Sequence, residues 1–159
     1  MDDGTNSKEL SRNPTLKDVV ALCQHLNDVN AKYIIIGGFA IMHWGFDRTT
    51  SDIDLLVDSS EKNIINICEA LMFLPDQAVK EVKPSDIAEY TVVRIGDEFI
   101  IDLLGKACGI SYDEMKGYIE YDIVDGIQIP YLKPAGKPNQ TLAIRKTGEN
   151  YLTDRPLSP

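Results

Sequence analysis

Two stretches decide the reading: Tyr33-Ile34-Ile35-Ile36-Gly37-Gly38-Phe39-Ala40-Ile41-Met42-His43-Trp44-Gly45 and, two residues on, Arg48-Thr49-Thr50-Ser51-Asp52-Ile53-Asp54-Leu55-Leu56-Val57. Tyr33 to Ile36 is β-branched and aromatic, the composition of a buried strand. The glycine pair stops it. Phe39 to Trp44 then reads as a short helix ending at Gly45, and Ile53 to Val57 as a second strand. Side chains two apart on a strand share a face, so Asp52 and Asp54 point together while Ile53, Leu55 and Val57 point to the core. Neighbouring carboxylates resist joint ionisation unless a cation or a proton compensates them. With no His or Cys beside the two aspartates, the fitting cation is a hard one such as Mg²⁺.

Asp102 adds a third carboxylate. It interrupts the apolar run Phe99 to Leu104, and a buried aspartate needs a partner. A metal shared with Asp52 and Asp54 supplies one. Three carboxylates holding two Mg²⁺ ions, with Mn²⁺ as the alternative, suit in-line phosphoryl or nucleotidyl transfer. Taken alone, Asp-x-Asp after an apolar strand is more often a strand-end turn. The glycine pair, Arg48-Thr49 and Asp102 together favour the metal site. Gly37-Gly38, between strand and helix, lets the backbone approach a phosphate closely. His43 reads as a packed or capping residue, and Trp44 and Phe46 as packing.

Outward from this segment, Thr15 caps a helix whose apolar stripe is Leu16, Val19, Val20, Cys23 and Leu26. Ser59 or Ser60 caps another, with Ile64, Ile65, Cys68, Leu71 and Met72 as its core face. Val79 to Val82 suggests a short strand. Tyr90 to Ile95 and Glu98 to Leu104 form a hairpin about Gly96-Asp97. Ser111 to Glu114 is a capping box opening a helix to about Ile119. Tyr121 to Val124 and Ile127 to Ile129 form a second hairpin about Asp125-Gly126, and Gln140 to Arg145 reads as a short helix. Helices and strands in this order give an α/β (α+β) sandwich with a mixed sheet backed by helices, not a doubly wound parallel sheet.

The chain has 159 residues, enough for one domain. Residues 1–13, polar and without an apolar stretch, read as a flexible N-terminal tail; 14–133 as the domain; 134–159 as a C-terminal extension. The net charge of −9 argues against a protein that coats nucleic acid. The extension is nevertheless basic: Lys133 onward carries five Lys and Arg against Glu149 and Asp154, a strip able to meet a polyphosphate or an RNA backbone. Cys23, Cys68 and Cys108 are too widely spaced for a metal or redox motif and read as free thiols in a reducing cytosol. No apolar run is long enough to span a membrane.

The pattern Gly37-Gly38-x-Ala40, His43-x-Gly45, then Arg48-x-Thr50-x-Asp52-x-Asp54 resembles the nucleotidyltransferase superfamily, most of all its AbiEii-type branch of abortive-infection and toxin–antitoxin systems. The likeness covers Tyr33 to Val57 and is extended by Ile101-Asp102-Leu103, about one-third of the chain. It implies a polymerase beta-like fold and transfer of a nucleoside monophosphate from an NTP such as ATP to an RNA or protein acceptor, with an antitoxin or helical partner. By that resemblance Asp52 and Asp54 chelate both Mg²⁺ ions and the triphosphate, and Asp102 binds the catalytic metal and helps activate the acceptor. Gly37 and Gly38 would contact the triphosphate, with Arg48 and Thr49 close by and Lys146 where related proteins place a lysine. Many members carry Gly-Ser where this chain has Gly37-Gly38; the Gly-Gly form is common in the AbiEii-like branch. Two other functions fit the same residues: a module of this fold that binds nucleotide or partner without turnover, and a metal-dependent phosphohydrolase.

Overall fold

The computed structural model describes residues 11–46 and 49–134. Its centre is a six-stranded mixed sheet built from β1 (Tyr33–Ile36), β2 (Asp52–Val57), β3 (Val93–Gly96), β4 (Ile100–Leu104), β7 (Ile119–Val124) and β8 (Ile127–Leu132). Their order across the sheet is β3-β4-β2-β1-β8-β7. β2 runs parallel to β4 and antiparallel to β1, while β1 runs parallel to β8. The two hairpins, β3/β4 and β7/β8, close the sheet at either side. β1 and β2 are buried along their whole length, which is why both read as continuous apolar runs broken only by aspartate.

Helix α1 (Leu16–Asp28) begins at the expected capping box, where Thr15 accepts from the Asp18 amide and the Asp18 carboxylate accepts from the Thr15 amide at 2.7 Å. Its buried face is Val19, Leu22, Cys23 and Leu26, an i, i+3, i+4, i+7 set. Leu16 and Val20, expected in that stripe, are exposed and half-buried respectively, and Leu16 instead reaches the rim of a cavity. Helix α2 (Gly37–His43) starts two residues earlier than expected, because Gly37 at φ +73° turns the chain straight out of β1.

Helix α3 (Glu61–Ala70) is capped by Ser60 and buries Asn63, Ile64, Ile67 and Ala70. Ile65, expected in the core, faces out, and Cys68 and Met72 are half-buried. The face is rotated because Asn63 belongs to it: its amide donates to the carbonyls of Lys32 at 3.0 Å and Asp58 at 2.8 Å, and its carbonyl accepts from the Lys32 amide at 2.8 Å. A polar side chain can be buried where its hydrogen bonds are met, and here it ties α3 to the end of the β1/β2 pair where β1 begins and β2 finishes.

The strand expected at Val79 to Val82 is a 3₁₀ turn, Ala78–Glu81. The buried Asp97 carboxylate accepts from the amides of Asp76, Ala78 and Glu98, so this segment finds its partner in a side chain rather than in a ladder. Strands β3 and β4 are shorter than expected, and the turn between them is Asp97-Glu98-Phe99 rather than Gly96-Asp97. After a short helix α4 (Asp86–Glu89), the main additions to the sequence reading are β5 (Lys106–Ala107) and β6 (Ile110–Ser111), paired about Cys108 and Gly109, both at positive φ. Helix α5 (Tyr112–Met115) has the predicted capping box but ends early, so Ile119 opens β7 instead of closing the helix. β8 continues through Pro130 to Leu132; its ladder with β1 is limited to Ile35 opposite Tyr131, which leaves room for a residue without an amide donor.

Ser11 and Arg12, assigned to the tail, are bonded to the β3/β4 turn: Ser11 Oγ donates to the Asp97 carbonyl at 2.6 Å and the Arg12 amide to the Glu98 carbonyl at 3.0 Å. The helix expected at Gln140 to Arg145 lies outside the described residues. Among the described residues no helix is long and apolar enough to cross a membrane.

Candidate metal centre

Strand alternation sends Asp52 and Asp54 to one face of β2, as the sequence predicts. The parallel ladder then sets Asp54 directly opposite Asp102 on β4. One oxygen from each of the three carboxylates lies within 4.8 Å of the others, and all three residues are at most 2 % exposed. Three hard oxygen donors this close, with no thiolate or imidazole in the group, are chemically matched to a divalent ion of the Mg²⁺ or Mn²⁺ type.

The other walls are drawn in tightly. A Cβ built on Gly37 would overlap Asp54 Oδ2, and one on Gly38 would lie 2.6 Å from Thr50 Cβ and 2.7 Å from Thr50 Oγ1. The first turn of α2 can therefore press against the carboxylate and the threonine only because both positions lack a side chain. Thr50 Oγ1 also donates to the Asp52 carbonyl at 3.0 Å, fixing the entry to β2.

Arg94 completes the centre. It sits on β3 opposite Asp102, donating from Nε to Asp102 Oδ1 at 2.9 Å and from Nη2 to Asp102 Oδ2 at 2.9 Å and Asp52 Oδ2 at 3.0 Å. These bonds, Asp102 first, raise the guanidinium pKa further above its ordinary value, so the group stays cationic. One guanidinium thus brings a single positive charge to a group of three carboxyl side chains.

Sequence reasoning missed Arg94, and the reason is register. A two-residue turn at Gly96-Asp97 would place Thr91 opposite Asp102. The true three-residue turn pairs Gly96 with Ile100 and so brings Arg94 there. The available signal was a lone arginine within Val92-Val93-Arg94-Ile95.

Beside the centre is a cavity of about 470 Å³ lined by Phe39, Met42, His43, Thr49, Thr50 and Tyr131, among others. Thr49 lines this cavity together with Thr50, whose hydroxyl bonds the Asp52 carbonyl. Arg48 and Lys146 lie outside the described residues. His43 is a packing residue: it stacks on Tyr131 with centroids 3.9 Å apart and 6° between planes, with Asp122 Oδ2 3.8 Å from its Nδ1. Burial pushes the Tyr131 hydroxyl up to about 12, so the phenol is neutral at physiological pH. Trp44 likewise packs, donating from Nε1 to the Leu132 carbonyl at 2.9 Å. Neither this cavity nor a larger one of about 660 Å³, lined by Ser59, Tyr90, Gly105 and Cys108 among others, has any of the three carboxylates in its lining.

The mixed sheet backed by helices is the nucleotidyltransferase fold, here with a buried three-carboxylate group able to hold a metal ion. Among solved structures, the chain is similar to the crystal structure of a Thermotoga maritima protein described as a "putative nucleotidyltransferase". The match has a TM-score of 0.52 at 14% identity and covers 74% of this chain and 76% of that one. No protein-family model matches the chain, and no curated protein matches it.

Proposed function

We propose that the protein is a Mg²⁺-dependent nucleotidyltransferase that moves a nucleoside monophosphate from an NTP to an RNA or protein acceptor. The observation that carries this reading is the in-register pairing of Asp54 with Asp102, which gathers three buried carboxylates on one sheet face beside a glycine-lined helix start. Asp52, Asp54 and Asp102 would hold the metal. When bound, it neutralises the triphosphate and stabilises the charge that develops on the transferred phosphoryl group. The triphosphate contact of Gly37 and Gly38 is carried over from the family resemblance; here both glycines are buried, against Asp54 and Thr50. The 470 Å³ cavity, part aromatic and part hydroxyl-lined, is of a size to receive the organic part of a substrate. In the reaction an acceptor oxygen bonds to the α-phosphorus, the bond to the bridging oxygen breaks, and pyrophosphate leaves. The acceptor proton passes to a carboxylate, for which Asp102 is the assigned residue.

A role as a toxin–antitoxin component acting in the cytosol rests on the AbiEii-like form of the motif at Gly37-Gly38 and Arg48 to Asp54, and on three free thiols. A second reading, a module that binds nucleotide without turnover, is favoured by the grip of Arg94 on Asp52 and Asp102.

Calorimetry of Mg²⁺-dependent NTP binding, on wild type and on Asp52→Ala/Asp54→Ala, tests the site. Binding that vanishes in the double variant supports it; no binding by a folded wild type overturns it. Labelled NTP then separates the activities. Transfer to an acceptor supports the enzyme, binding without transfer the module, and released phosphate without labelled acceptor a phosphohydrolase.

A further inference from the structure

We infer that Arg94 is a built-in counter-cation that occupies the carboxylate centre in competition with the metal and swings aside when the metal binds. The inference rests on the reading of Asp52, Asp54 and Asp102 as a divalent-cation site. Three of the carboxylate oxygens at that site, both of Asp102 and Oδ2 of Asp52, accept from Arg94 at 2.9–3.0 Å. A carboxylate oxygen has lone pairs to spare, so the bonds alone do not exclude a metal. Charge does. A divalent ion bound to the same oxygens would stand a few ångströms from a guanidinium that is always protonated, in a place nearly closed to water.

The two faces of this contact differ. The carboxylates are buried and fixed on central strands, whereas the Arg94 side chain is 53% exposed. Arginine can therefore rotate its long stem into solvent without unpacking the core, and the aspartates cannot move away from it. A structural ion pair buried on both sides would be costly to break; this one is open on the side of the group that has to leave. Without a metal, Arg94 would offset part of the repulsion among the carboxylates and keep Asp52 and Asp102 aligned. When the metal takes over that offset, the guanidinium is released at the mouth of the site.

Competition of this kind is a coupling between two cations and is reciprocal: Arg94 weakens metal binding by the factor by which metal weakens the Arg94 contact. Mn²⁺ binding is measured by electron paramagnetic resonance on wild type, Arg94→Gln and Arg94→Lys, each checked for folding by circular dichroism. Arg94→Gln is expected to bind Mn²⁺ on the order of tenfold more tightly, with Arg94→Lys nearer wild type because its charge is kept. In parallel, the Arg94 Nε–H resonance of wild type is followed with Mg²⁺. Slow exchange with solvent in metal-free protein and fast exchange with Mg²⁺ support the displacement, and this readout holds even if a variant does not fold. Equal or weaker Mn²⁺ binding by folded Arg94→Gln overturns the inference and leaves the metal centre intact. Absence of Mn²⁺ binding in both folded proteins overturns the metal centre and the inference with it.

Discussion

Asp54 and Asp102 face each other across the parallel β2/β4 ladder, one residue apart in neither direction, so that two buried carboxylates share one rung of the sheet. Like charges at that spacing favour one another's neutralisation, and the fold keeps them there at a cost to its own stability.

Exchanging either for asparagine separates the two roles of the cluster. Asp54→Asn removes a like charge and is expected to leave metal-free protein at least as stable as wild type. Asp102→Asn takes from Arg94 its bidentate partner and is expected to cost about 1–2 kcal/mol, moderated because the guanidinium is half exposed. Neither variant should show the rise in Tm that wild type gains from Mg²⁺. Thermal unfolding with and without Mg²⁺ checks all three statements.

The glycine pair is fixed by sterics. Gly37 lies at φ +73° against Asp54, so Gly37→Ala combines a strained backbone with an overlap and is expected to destabilise by about 2–4 kcal/mol. Gly38→Ser would give the Gly-Ser form found in many of the nucleotidyltransferases the sequence resembles, yet its Cβ would meet Thr50. The place that serine would take is filled by the Thr50 side chain, so this change should also destabilise, by about 1–3 kcal/mol. Urea unfolding of both variants measures the effect; a Gly38→Ser protein as stable as wild type would show that Thr50 can move.

Asp18 supplies a pH-dependent contribution away from the site. Its carboxylate accepts from Arg12 at 2.6 and 2.8 Å and from the Thr15 amide, and the Arg12 bonds, as the main cause, hold its pKa below 3.8. A depressed folded pKa stabilises the fold above the unfolded value, and that stability is lost as pH falls through the folded one. Asp18→Asn is therefore expected to unfold at lower urea than wild type at neutral pH, with the gap narrowing as the solution is brought to about pH 3 and below. A gap that stays constant with pH would assign the effect to the helix cap alone.

The residues themselves determined the parts of this protein that depend on neighbours in the chain. β-Branched runs made β1 and β2, Thr15 and Ser111 made their helix caps, and the two-residue period of a strand placed Asp52 beside Asp54. The carboxylate triad was legible too, because a lone aspartate inside an apolar run has few places to go. What lay beyond reach depended on register and on partners distant in sequence. The length of the β3/β4 turn decided that Arg94, not Thr91, stands opposite Asp102. Asn63 turned α3 because the carbonyls it satisfies belong to Lys32 and Asp58, and Asp97 replaced an expected strand by binding three amides at once. Local propensity is written in each residue; the pairing of one polar group with another is chosen only when packing has brought both to the same place.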